Sequence, residues 1–188
     1  MLEKIGRQNA LYPMPVTLIG TVVEGRVNFI NIAHVGILNA AAPHRISLGM
    51  SKSHYSNRGI REHRAFSVNL PSQQMVEAAD YVGLVSGKAA DKSKVFETFF
   101  GEVENAPLIK DCPVAMECRL VETLDTPTYE VFVGEVVATW ADPAVLTEGR
   151  VDLAKVQPLL FDMASREYWS LGKPVARCWQ VGKKHRAG

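Results

Sequence analysis

Residues 114–140 read VAMECRLVETLDTPTYEVFVGEVVATW. Two runs rich in β-branched and aromatic residues, Val114 to Leu124 and Tyr129 to Trp140, flank the turn-forming connection Asp125-Thr126-Pro127-Thr128. Each run is roughly twice the length of an ordinary strand, long enough to wrap around a barrel. Gly134 inside the second run marks a bulge or a close approach of backbone.

The rest of the chain supports a mainly β reading. Pro15 to Val23 is rich in Val, Ile, Thr and Leu, Glu24-Gly25 turns, and Arg26 to Ala33 returns, which is a hairpin signal. His44 to Ser51 and Ala65 to Leu70 are expected as two further strands around a short helix over Asn57 to Arg64. Met75, Val76, Ala79 and Val82 recur at helical spacing in a segment from Gln73 to Tyr81, with Ser72 as its expected N-cap. Asp152 to Val156 reads as one helical turn, while Leu159 to Met163 and Trp169 to Gly172 are ambiguous. Strands do not alternate regularly with helices, so a doubly wound parallel sheet is disfavoured. The pattern fits one domain over residues 1–188, a closed or half-closed antiparallel barrel with helical insertions.

Between Met50 and Lys94 the chain carries the residues that could hold a phosphate. Lys52, Ser53, His54, Tyr55, Ser56 and Asn57 lie between a strand and a helix start, where free backbone N–H groups and partial positive charge favour an anion. Gly87 and Lys88, then Lys92 and Ser93, form a second donor cluster. Donors on both sides of one strand suggest a phosphorylated cofactor. GLVSGK at 83–88 is not a nucleoside-triphosphate loop, because three residues separate its glycines and Ala89 replaces the magnesium-binding hydroxyl. No GxGxxG follows a strand, so any nicotinamide cofactor binds without a Rossmann unit. Asn31, at a strand end, can donate and accept, although taken alone it reads as an ordinary turn residue.

Composition narrows the class. The 188 residues carry 21 basic and 20 acidic side chains, a formal net charge of +1, which argues against a general nucleic-acid binder. The basic C-terminal KKHRAG reads as a solvated tail. No apolar run reaches the length of a membrane span, and Met1 to Ala10 lacks a signal-peptide profile, so a soluble, cytoplasmic protein is expected. Cys112, Cys118 and Cys178 form no CxxC pair and are expected as buried small residues. The five histidines form no metal motif.

The sequence resembles the flavin reductase-like family with an FMN-binding split barrel, in particular its flavoredoxin branch. The resemblance covers nearly the whole chain. It is carried by Pro13-Met14-Pro15-Val16, Asn31-Ile32-Ala33, SHYSN at 53–57 leading to FSVNLP at 66–71, DYVGLVSGK at 80–88 with Asp91-Lys92-Ser93, VGEV at 133–136 and YWSLG at 168–172. It implies an antiparallel Greek-key split barrel and a homodimer with FMN in a groove near the subunit interface. By the same resemblance, Asn31, Ile32 and Ala33 contact the isoalloxazine ring, Ser53, Tyr55, Ser56 and Asn57 bind the phosphate side, and Ser86, Gly87, Lys88, Lys92 and Ser93 close over phosphate and ribityl chain. Ser56 stands where many relatives have threonine and keeps the hydroxyl; Tyr129 stands where many have histidine.

The implied function is an FMN-dependent oxidoreductase or electron carrier, supplied by NAD(P)H or a small redox protein. Arg58 or Arg61 is the candidate for reading the extra phosphate of NADPH. Two other classes remain open from sequence: a flavin- or haem-binding module without turnover, and a nucleotide-binding regulatory dimer with a vestigial phosphate site.

Overall fold

The structure, a computed structural model, describes residues 1–185; Arg186 to Gly188, half of the basic KKHRAG tail, lie outside the described residues. The strands are β1 (Met14–Pro15), β2 (Thr17–Val23), β3 (Arg26–Ile32), β4 (Val35–Asn39) and β5 (Arg45–Ser51). Helix α1 (Ser56–His63) and strand β6 (Ala65–Leu70) follow, then α2 (Val76–Leu84), β7 (Thr98–Phe99) and β8 (Leu108–Ile109). The long pair is β9 (Val114–Asp125) and β10 (Tyr129–Ala141). The chain continues through β11 (Leu146–Thr147), β12 (Arg150–Val151), α3 (Leu153–Val156), β13 (Leu159–Asp162) and β14 (Glu167–Ser170).

One seven-stranded sheet runs β3-β2-β6-β9-β10-β5-β4 and is antiparallel throughout. Its two edge strands, β3 and β4, are joined only by Ala33 and His34. Three Cα steps reach at most about 11 Å, so the edges must meet at that end. The sheet therefore curls into a barrel with a seam between β3 and β4. Curvature comes from β9 and β10, whose register shifts between Val133 and Gly134 and again between Val136 and Ala138. At Gly134 a Cβ would lie 2.4 Å from Phe66 Cζ, so the core ring itself requires glycine there.

Both faces of β2 are covered, which is why its sequence shows only loose alternation. Ile19 joins Ile46, Leu48, Met50, Phe66 and Phe132 inside the barrel. Its neighbour Leu18 packs outside it with Phe29, Ala79, Val82, Phe96 and Leu159. α2 thus lies against the outer face of the β2–β3 hairpin, and Ile60 on α1 plugs the barrel interior.

Several expectations shift. The first helix starts one residue early, at Ser56, and Arg64 is its left-handed C-cap, φ 50°. Ser72 makes no capping bond; a 3-10 turn over Gln73–Met75 precedes α2. The ambiguous late segments are strands, with β13 between β1 and β14 in a separate sheet. Strand β4 was not expected. Cys112 and Cys118 are buried, but Cys178 is exposed; among the described residues, none beyond Leu171 joins a core cluster. Among the described residues no helix is long and apolar enough to cross a membrane.

Candidate functional site

The edge strand β3 has a cavity on each face. Alternation places Asn28 and Ile30 on one side and Asn31 on the other. The first cavity, about 170 Å³, is enclosed by Asn28 and Ile30, by the connection from β5 to α1, and by the segment from Gly83 to Lys92. The second, about 330 Å³, lies among Asn31, Ala33, Asp80, Phe161, Arg166 and Tyr168. Gly83 and Leu84, at the C-terminus of α2, border both.

In the first cavity the donors are mostly side chains. Backbone N–H groups of His54, Asn57 and Arg58 are already engaged by turn bonds to Ser51, His54 and Tyr55, so the helix start offers fewer free amides than its sequence suggests. Ser56 Oγ accepts a 2.7 Å bond from Asn28 Nδ2, which leaves its own O–H free to donate. Ser53 Oγ lies 2.9 Å from Ser51 Oγ. His54 Nδ1 is buried with no hydrogen-bond partner. Burial holds this imidazole below its ordinary pKa, with Lys92 and His34 adding to the effect.

Lys92 is 3% exposed and donates from Nζ to Phe29 O at 2.9 Å and Val82 O at 2.7 Å. Two of three ammonium hydrogens are fixed, and the third remains for a ligand. Burial lowers its pKa to about 8. Gly87 brings backbone to the cavity wall: a Cβ there would sit 2.0 Å from Asn28 Oδ1 and 3.1 Å from Tyr55 Cδ1. Unmatched donors, a fixed cation and a side-chain-free backbone segment suit a small anion such as a phosphate ester.

The second cavity is aromatic on one wall. Phe161 and Tyr168 lie with centroids 5.7 Å apart. Asn31 Nδ2 donates to Ala79 O at 3.1 Å and Tyr168 Oη at 3.2 Å, while Tyr168 donates to Asp80 Oδ1 at 2.8 Å.

The structure brings Ser53, Tyr55, Ser56, Ser86, Gly87 and Lys92 to the first cavity, and Asn31 and Ala33 to the second. The remaining expected residues line neither. Ile32 is buried in the barrel core. Asn57 is fully buried and donates to Ser51 O and Glu130 Oε2. Lys88 is exposed, and the Ser93 N–H caps Asp91 Oδ1. Tyr55 contributes its ring, because its hydroxyl donates to Glu24 at 2.8 Å. Arg58 pairs with Glu24 and Arg61 with Glu130, so neither is a free cation. Tyr129 on β10 meets His34, in the β3–β4 connection, edge-on at 5.6 Å. His54, part of the phosphate cluster in the sequence, lines the first cavity, as do Asn28, Ile30 and Leu84, which no motif marked; Asn28 carries one signal, a polar residue at an inward position of an apolar strand.

The model of the flavin reductase like domain matches residues 9–170. The chain belongs to this family. Among solved structures of similar fold, the flavoredoxin of Methanosarcina acetivorans is 43% identical with a TM-score of 0.92, over 97% of this chain and 98% of that one. The flavoredoxin of Desulfovibrio vulgaris (Miyazaki F) is 32% identical with a TM-score of 0.90, over 97% of this chain and 100% of its own. A curated relative from Aeropyrum pernix, described as an uncharacterized protein, is 27% identical over 71% of this chain, and the alignment spans only 51% of that protein. The flavin reductase-like match includes both cavities and the barrel seam, and the split barrel is the mainly β architecture read from the sequence.

Proposed function

We propose that this chain is an FMN-binding electron-transfer flavoprotein of the flavoredoxin type, with flavin reductase activity toward a nicotinamide donor. The observation that carries the reading is the donor set of the first cavity: the Ser56 hydroxyl, one free Lys92 hydrogen and the Gly87 backbone, beside the unpartnered His54 Nδ1. Such donors fit a phosphate ester and leave a ring system for the aromatic cavity across Gly83 and Leu84. Bound FMN would supply the redox chemistry, accepting a hydride or electrons and passing them on. The protein's own groups hold the phosphate, orient the ring and exclude water. Ser53, Ser56 and Lys92 are assigned to the phosphate, Ser86 and Gly87 to the chain that links it to the ring, and Asn31 and Ala33 to the ring.

A homodimer belongs to the same proposal. Leu159 is buried in its own chain, but Met163 and Trp169 of the β13–β14 hairpin are 39% and 55% exposed, Trp169 on the opposite strand face from the cavity-lining Tyr168. A second copy seated there would cover them. Sedimentation tests this, and a monomer that keeps FMN tightly bound would rule out a shared site.

The deciding experiment is the absorption spectrum of the purified protein followed by titration with FMN and riboflavin. Flavin bands and a clear preference for FMN are expected. Equal affinities for the two ligands would remove the phosphate assignment.

A further inference from the structure

Asn31 carries a side-chain amide whose two ends are chemically distinct, and the hydrogen bonds around it allow one orientation only. The Ala79 carbonyl can only accept, so it must face Nδ2. The Tyr168 hydroxyl has a single hydrogen, directed at the Asp80 carboxylate 2.8 Å away, so toward Asn31 its oxygen also accepts. Burial, then Asp80, pushes the Tyr168 pKa up to about 12, which keeps that hydrogen in place near neutral pH. Turning the amide over would set Oδ1 against two acceptors. Among the described residues Oδ1 has no hydrogen-bond partner, and Asn31 lines the second cavity.

Resting on the FMN reading above, we propose that Asp80 and Tyr168 are positioning residues that fix Asn31 as a pure acceptor, and that this acceptor selects a heteroaromatic ring edge bearing an N–H donor, the imide of the isoalloxazine. The relay links three elements that meet at the cavity wall, α2 through Asp80, β14 through Tyr168 and β3 through Asn31, so its direction is set by how those elements pack together.

The test compares binding of FMN with that of its N3-methyl analogue, which lacks the imide hydrogen. Wild type is expected to bind FMN about tenfold more tightly than the analogue, the worth of one hydrogen bond whose loss leaves an acceptor unpaired. Tyr168→Phe keeps the ring and removes one of the two acceptors that hold Nδ2, so the amide can pivot on its remaining bond to Ala79 O and Oδ1 loses its fixed aim; the ratio should fall to about threefold or less. A steric penalty from the methyl group would survive that substitution unchanged, which would overturn the proposal. Asp80→Asn, whose amide oxygen can still accept from Tyr168, should restore most of the discrimination, whereas Asp80→Ala should lose it. Wild type that binds both ligands equally well overturns this proposal while leaving the FMN reading intact. Wild type that binds neither overturns both.

Discussion

Asn28 Nδ2 donates to Ser56 Oγ at 2.7 Å, tying the edge strand β3 to the first residue of α1 across 28 positions of sequence. Both residues are buried, so the bond supports the fold and also sets the direction of the Ser56 hydroxyl. Asn28→Ala should lower stability by about 1–2 kcal/mol in denaturant unfolding, the usual cost of a lost buried hydrogen bond. Asn28→Asp separates the two roles. Its carboxylate can accept from Ser56, but it places negative charge in a cavity for an anion. FMN affinity should therefore fall further in Asn28→Asp than in Asn28→Ala, although the aspartate variant is of nearly equal size. Equal losses would show that the cavity does not hold the phosphate.

Gly87 is the second site where binding and folding separate. A methyl group there overlaps Asn28 Oδ1 at 2.0 Å, and the flanking segment from Val85 to Ala90 contains no regular helix or strand. That segment can shift outward at little cost to the core. Gly87→Ala should leave the thermal midpoint within a few degrees, about 1 kcal/mol, and weaken FMN by about tenfold or more. Circular dichroism melts and fluorescence titration on the same preparation check it.

The Lys92 ammonium gives the binding a pH signature. Its pKa in the free protein is lowered to about 8 by burial, and a bound phosphate dianion must raise it again. Binding therefore takes up a proton where the free lysine has lost one, so FMN affinity is highest below pH 8 and declines as pH rises through it. Riboflavin, without the phosphate, should show little of this decline. Lys92→Met should abolish the pH step and weaken FMN by about 1.5–3 kcal/mol, the worth of a hydrogen bond to a charged group.

What could be read from the sequence followed how local each signal was. The β9–β10 pair and the β2–β3 hairpin carry their evidence in consecutive residues. Strand β4 does not, because Ile37 and Leu38 are both exposed at 78% and 58% and no alternation marks a buried face. The hydroxyl and basic cluster was visible by composition, but which atoms remain free was not: Tyr55, Asn57, Arg58 and Arg61 are engaged by Glu24 and Glu130, the latter 73 residues from Asn57. Strand parity separates the two sites, since residues 28 and 31 of one strand cannot face the same cavity.

The paired arginines bear on the electron donor. With Arg58 paired to Glu24 at 2.8 Å and Arg61 to Glu130 at 2.5 Å, the charge of each is already balanced by a carboxylate, which weakens its pull on a second phosphate. NADH and NADPH should reduce bound FMN with second-order rate constants within about fivefold of each other, a difference of about 1 kcal/mol. Anaerobic stopped-flow bleaching of the flavin band measures this. A strong preference for NADPH would require one of these pairs to open. If dithionite reduces the flavin while neither nicotinamide does, the function narrows to an electron carrier served by a protein partner.

Lys92 has one more consequence, for solubility. β3 is a sheet edge, and exposed edges are templates on which other chains add strands. The buried Lys92 side chain lies against β3 and bonds Phe29 O at 2.9 Å. With Phe29 O already accepting from Lys92, one carbonyl of β3 is not available to pair with an added strand.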